Sequence, residues 1–161
     1  MRALGIDYGE RRIGLALSDA TGLLASPWKT IANDANVSAA AQRLAIEVHA
    51  LVAEEDGLAV VVIGLPRRLS GEANDQTARV QKFAQLLGGA VSVPIELQDE
   101  RLTTVSAEAM LRDRGKKGAS RRAVVDQAAA VLILQHALDT ERATGRAPGE
   151  IVTGDTESGE S

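Results

Sequence analysis

Three acidic residues stand where acids are uncommon. Asp7 lies inside the segment LGIDYG, near the carboxyl end of an apolar stretch that reads as a strand. Aspartate is depleted in strands, and a buried carboxylate needs hydrogen bonds or a counter-charge. The plain alternative is an aspartate that helps the turn at Gly9. Glu100 follows an apolar stretch that ends at Gln98, and sites in α/β sheets gather at the carboxyl ends of strands. Its alternative is a solvated loop acid. Asp99 shares that ambiguity, since strand neighbours point to opposite faces. Asp126 lies within AVVDQAAAVLILQHAL, a helix apolar on nearly every side. With Ser120 as the cap, Asp126 sits beyond the first turn, where capping and the helix dipole welcome an acid. Its alternative is a partly exposed flank near Gln127.

Three converging carboxylates would suit a hard divalent cation, Mg²⁺ or Mn²⁺, which favours oxygen ligands. Two such ions roughly 3.5–4 Å apart activate a water and stabilise the leaving oxygen in phosphodiester hydrolysis. Zinc does not fit: His49 and His136 are isolated and the chain has no cysteine. Neither histidine has a serine in a nucleophile-elbow motif.

The elements that must position these acids are legible from periodicity. Residues 2–8 read as a strand, 9–11 as a tight turn, and 12–18 as a second strand of period two, which makes a hairpin. A third strand is expected over about 25–31, with Pro27 placing it near an edge or a start. Residues 37–54 carry a helical apolar stripe with Asn36 as N-cap. The run LAVVVIGL (58–65) fits a parallel strand buried on both faces. A helix over 74–87 is expected to stop at Gly88–Gly89. A strand follows over 91–98, then a helix near 105–113, a basic loop over 114–120 and a last helix from Arg121 to about Arg142. A hairpin meander followed by α/β crossovers means a mixed five-stranded sheet flanked by helices. One domain over 1–144 and a disordered acidic tail over 145–161 are expected.

Bulk composition narrows the class without naming a function. The 161 residues are 45% hydrophobic and 25% charged, ordinary for a soluble domain. Having no cysteine excludes disulfides and a thiol nucleophile and suits a cytoplasmic home. The opening MRALGIDYG lacks the apolar core of a signal peptide, and no apolar run is long enough to span a bilayer. The net charge is −4, with a pI near 5.2, which alone argues against a nucleic-acid binder. The charge is unevenly placed, however. Residues 147–161 hold Glu150, Asp155, Glu157 and Glu160 with no base, and without them the chain is neutral. Residues 112–122 hold six bases against Asp113.

Four segments in register, GIDYGERRIGLALSD (5–19), VVIGLP…G (61–71), DERLTT (99–104) and DQAAAVLILQ (126–135), resemble the YqgF (RuvX) family. That family is related to the Holliday-junction resolvases, and the resemblance covers roughly residues 2–140. It implies an RNase H-like fold, with the family's three acids at Asp7, Glu100 and Asp126. These are the acids already singled out on physical grounds. Resolvase relatives carry a further acid one turn beyond the third, where this chain has Ala129 and Ala130.

The resemblance implies a metal-dependent nuclease that uses Mg²⁺ or Mn²⁺ and acts in 5′-end maturation of pre-16S rRNA. A four-way DNA junction is the alternative substrate, met by a monomer or homodimer. Arg11, Arg12, Arg67, Arg68, Lys116, Lys117, Arg121 and Arg122 would then hold a nucleic-acid backbone without reading sequence. Arg101 would support them. Each is otherwise a solvated surface base. With one Phe, one Tyr and one Trp, base stacking has few candidates, Tyr8 and Trp28 first.

Two other readings compete. A non-catalytic RNA-binding assembly module would gain nothing from carboxylates that face phosphates. An ATP-using enzyme of the actin-like kind would need a second lobe, and no Walker loop is present.

Overall fold

The computed structural model describes residues 1–33, 36–66, 75–99, 118–145 and 150–152, with the side chains of 118–126 and 150–152 excepted. The order is β1 (Arg2–Tyr8), β2 (Arg12–Ser18), β3 (Ala25–Ala32), α1 (Val37–Ala53), β4 (Leu58–Leu65), α2 (Asp75–Ala90), β5 (Ile95–Asp99), α3 (Gly118–Thr144) and β6 (Glu150–Val152). They build one mixed sheet in the order β3-β2-β1-β4-β5-β6. The β1–β2, β2–β3 and β5–β6 pairs are antiparallel, and β1–β4 and β4–β5 are parallel.

Alternation along β1 sorts its side chains by size as well as by polarity. Leu4, Ile6 and Tyr8 enter the larger core, with Ile13 and Leu15 of β2, Leu44 and Val48 of α1, and Phe83 and Leu87 of α2. Tyr8 and Phe83 meet there with ring centroids 4.4 Å apart, tilted by 36°, within the favoured range for aromatic pairs. The opposite face of β1 carries Ala3, Gly5 and Asp7. Ala3 joins Val62 and Ala130, Ile133, Leu134 and Ala137 of α3 in a second core. Small residues on that face let α3 approach closely. A Cβ on Gly5 would stand 2.7 Å from Leu134 Cβ and 2.9 Å from the Ala130 carbonyl oxygen. Gly5 therefore fixes the height of α3 over the sheet.

The expected bounds hold for β1, β2 and β4, and Asn36 caps α1 by accepting a hydrogen bond from Ala39 N at 3.0 Å. The five expected strands form, and a sixth, Glu150–Val152, lies inside the segment read as a tail, where it pairs with β5. Helix α2 runs through Gly88–Gly89 to Ala90 instead of stopping there. Two glycines cost a helix about 1 kcal/mol each relative to alanine, and the burial of Phe83, Ala84 and Leu87 in the last turns outweighs that. Strand β5 starts at Ile95, after Pro94, rather than at Val91, whose N–H still bonds the Leu87 carbonyl at 3.1 Å. Helix α3 begins at Gly118, which puts Ser120 inside it rather than at its cap. The expected helix near 105–113 lies outside the described residues.

Candidate active site

Asp7 is the penultimate residue of β1, on the α3 face and half-buried. It pairs with Gly14 of β2, and Gly14 pairs with Thr30 of β3. On the other side Ile6 pairs with Ile63, so Asp7 comes level with Gly64, which pairs with Gln98 of β5. One row thus crosses the sheet as Thr30, Gly14, Asp7, Gly64 and Gln98. Asp7 is its only acid, and glycines flank it on both neighbouring strands. Glycine is unfavourable inside a strand and marks places where another group must come close.

Helix α3 reaches the same row. Gln127 Nε2 donates to Thr30 Oγ1 at 3.0 Å. Ala130 sits over Gly5, two residues before Asp7, and Ala137 and Leu138 share a core with Ala3. The helix therefore runs antiparallel to β1, and its backbone at position 126, one turn before Ala130, is at the level of Asp7. Ala129 and Ala130, where resolvase relatives have a further acid, are 5% and 0% exposed, and Ala130 packs against the sheet.

The row also holds an unusual polar atom. Gln98 is buried, and its Oε1 has no hydrogen-bond partner among the described residues. A buried amide oxygen without a partner costs about 1–3 kcal/mol. Gln98 lies on the same face as Asp7, two strands away with Gly64 between them. Strand β5 carries Ile95 and Leu97 into the larger core, so Asp99 alternates to that side and Glu96 and Gln98 to the α3 side. Glu100 is the next residue in the chain and lies outside the described residues. So do Arg67, Arg68, Arg101, Lys116 and Lys117. Arg121 and Arg122 belong to the first turns of α3. Among the described residues no three His, Asp or Glu side chains converge in a way that could hold a metal.

The hairpin beyond Asp7 separates its two arginines. Gly9 N donates to the Arg12 carbonyl at 3.0 Å, and a Cβ on Gly9 would lie 2.5 Å from that oxygen. Only glycine makes this turn. Arg12 falls on the α3 face with Gly14. Arg11 is exposed and lines a cleft of about 290 Å³ on the other side, with Tyr8, Asn33 and Arg79. Asn33 Nδ2 donates to the Gly9 carbonyl at 2.7 Å, and Gln76 Nε2 to the Tyr8 carbonyl at 3.0 Å. Arg79 bonds Glu10 at 3.0 Å across this cleft. The sequence reading passed over Arg79. It is one base on an exposed helix face, and nothing in its neighbours sets it apart.

A meander of three antiparallel strands, two parallel strands beyond it and an acid at the end of the central strand beneath a long helix define an RNase H-like α/β protein. The same architecture is found in Thermus thermophilus RuvC, solved alone and in complex with a Holliday junction substrate. Both structures align with a TM-score of 0.54 over 92% of this chain and 99% of RuvC, at 18% and 19% identity. The chain belongs to the family described as "RuvX: Holliday junction resolvase", whose model matches residues 1–140. Curated relatives named "Putative pre-16S rRNA nuclease" include one from Nocardioides sp. strain JS614, 58% identical over 92% of this chain and 94% of the relative. Another, from Clavibacter michiganensis, is 46% identical over 92% and 89%.

No helix among the described residues is long and apolar enough to cross a membrane.

Proposed function

We propose that this protein is a metal-dependent nuclease that matures the 5′ end of pre-16S rRNA, with Asp7, Glu100 and Asp126 as the ligands of Mg²⁺ or Mn²⁺. The observation that carries this reading is the row across the sheet. A half-buried carboxylate stands between two glycines, level with an unpartnered buried amide oxygen and with the α3 turn that contains position 126. Glu100 is joined to Asp99 by one peptide bond, so its Cα is about 3.8 Å from the end of β5. An all-oxygen donor set of this kind suits a hard cation. When bound, the metal supplies a Lewis acid for the phosphate and a more acidic water.

The chain's own residues have simpler tasks. Asp7, anchored by the β1–β2 and β1–β4 ladders, provides a fixed carboxylate. Gly14 and Gly64 put no side chain between Asp7 and the strands on either side of it. Arg12 on the α3 face, and Arg121 and Arg122 in the first turns of α3, lie at the same end of the sheet and would neutralise backbone charge, which positions a strand without reading its bases. Arg11 and Arg79 on the opposite side of the hairpin would hold the flanking strand.

The names of the relatives favour precursor rRNA as substrate, and the family description keeps a four-way DNA junction as the second. Alanine at 129 and 130 favours the first, because the further acid of the resolvases has no counterpart there.

The test is cleavage of a precursor small-subunit rRNA fragment and of a synthetic four-way junction, with Mg²⁺, with Mn²⁺ and with chelator. Cleavage of the rRNA that needs metal and is lost in Asp7→Asn and Asp126→Asn supports the reading. Preferential cutting of the junction would transfer it to resolution. Binding without cutting, unchanged in both variants, would identify a non-catalytic assembly module instead.

A further inference from the structure

At the end of the sheet opposite Asp7, a cavity of about 530 Å³ opens between the carboxyl-terminal half of α3 and the starts of β1, β4 and β5. Its walls are largely apolar, including Ala3, Val60, Pro94 and Leu138. Glu96 of β5 also lines it. This residue is only 6% exposed, and among the described residues it makes no hydrogen bond or ion pair. A buried carboxylate in that condition is costly.

The cations nearest to it are engaged elsewhere. Arg2 donates to the Gly57 and Leu51 carbonyls at 3.1 and 3.3 Å and pairs with Glu54 at 2.8 Å. Arg142 pairs with Asp139. The Met1 amine donates to the Ala20 carbonyl at 3.1 Å. A second carboxylate, Glu141, stands exposed on the cavity wall. The last turn of α3, the negative end of the helix, lies there as well. The field in the cavity therefore favours a positive guest, and the walls favour an alkyl one.

We propose that this cavity is a binding site for an aliphatic diamine or polyamine, with one ammonium on Glu96 and a second on Glu141 and the methylene chain along Ala3, Val60 and Leu138. Two carboxylates at different depths, one buried and one exposed, match a guest charged at both ends better than a single ion. A divalent metal would need more oxygen donors than these two side chains bring.

Desolvation, and next the charge of Glu141, push the Glu96 carboxyl up to about 7. Binding an ammonium would reverse that and release a proton. Among the described residues, the charged groups that line the cavity with Glu96 are Glu141 and Arg142 from α3, Arg2 from β1 and the Met1 amine.

The experiment is calorimetric titration of the full chain with putrescine and with spermidine at about pH 8, in metal-free buffer, with 1-butanol as the neutral control. Saturable binding of the amines but not of butanol is expected, weakened about tenfold or more in Glu96→Gln and less in Glu141→Gln. No saturable heat up to about 10 mM amine, or equal affinity in Glu96→Gln, overturns the proposal. If Glu96→Gln fails to fold, titration of the unmodified chain at about pH 8 and pH 5.5 decides. Affinity that falls with pH through about 7 supports the site, and pH-independent binding overturns it. These readouts need no nuclease activity, so they stand apart from the function proposed above.

Discussion

The two ends of the α3 face each present an acid, and the two acids keep different company. At the carboxyl end Asp7 is half-buried, has glycine on both neighbouring strands and lies at the same end as the bases of the hairpin and of the first turns of α3. At the amino end Glu96 is almost wholly buried, lies near the start of β5 and faces the negative end of α3 and Glu141. One end sets a carboxylate among bases, and the other sets a carboxylate where burial and a second acid disfavour its charge. The difference lies in the orientation of α3, whose basic start covers one end of the sheet and whose carboxyl end covers the other.

That contrast can be broken first at Asp7. Asp7→Asn keeps the shape and removes the charge, so cleavage should fall by about a thousandfold or more. The melting temperature should scarcely move, because the side chain is only half-buried and the ladder is backbone. A matched loss of fold and activity in thermal melts would argue that Asp7 is a structural residue.

Gly5→Ala attacks both ends at once, because the added methyl would meet Leu134 and the Ala130 carbonyl. Overpacking of this kind costs about 1–3 kcal/mol, and it should lift α3 away from the Asp7 row. Denaturant unfolding is expected to show the loss, with cleavage reduced in the fraction that remains folded. A variant as stable as the parent would mean that α3 shifts freely on the sheet.

The Glu96 end is sharpened by pH. A carboxyl raised from 4.5 to about 7 in the folded chain binds more protons there than in the unfolded chain. Its effect is therefore a loss of stability as pH rises from about 4.5 through about 7, complete above that. Glu96→Gln removes this term. The variant should be more stable than the parent by about 1–3 kcal/mol near pH 8, with the difference vanishing near pH 4. Unfolding measured at both values checks the sign, and a variant less stable at pH 8 would show that the carboxylate has a partner in the folded chain.

The smallest effect is expected at the polar clasp between α3 and the sheet edge. Thr30→Val removes the acceptor of the Gln127 amide and should cost about 1 kcal/mol. A drop in cleavage larger than that cost explains would indicate that the clasp sets the height of the turn containing position 126.

Local pattern was enough for much of the frame. Period two along 12–18 and the unbroken apolar run at 58–65 located β2 and β4 to the residue, because both strands are buried and polar or turn residues bound them. Asn36 announced the start of α1 through its side-chain oxygen. Asp7 stood out because an acid at the end of an apolar strand has to be accounted for. Glu96 drew no notice, since Ile-Glu-Leu-Gln is also how a half-exposed strand reads. Its burial depends on α3 lying over that face, about forty residues later in the chain. Gly88–Gly89 misled because propensity is weak beside the buried turns that α2 packs on β4 and α1.

What the sequence by itself determined is the first five strands, the helices α1, α2 and α3 and the identity of the acids, since these follow from side-chain chemistry read at short range, whereas β6 exists only through its pairing with β5. What only the tertiary structure decided is the register. Asp7 is level with Gly14, Thr30 and the turn before Ala130 because Gly5 admits α3 to close contact and the β1–β2 and β2–β3 ladders lock one alignment. A slip of a single residue would turn Asp7 to the other face. Local preferences do not distinguish these alignments, and the packing of α3 against the small side of β1 does.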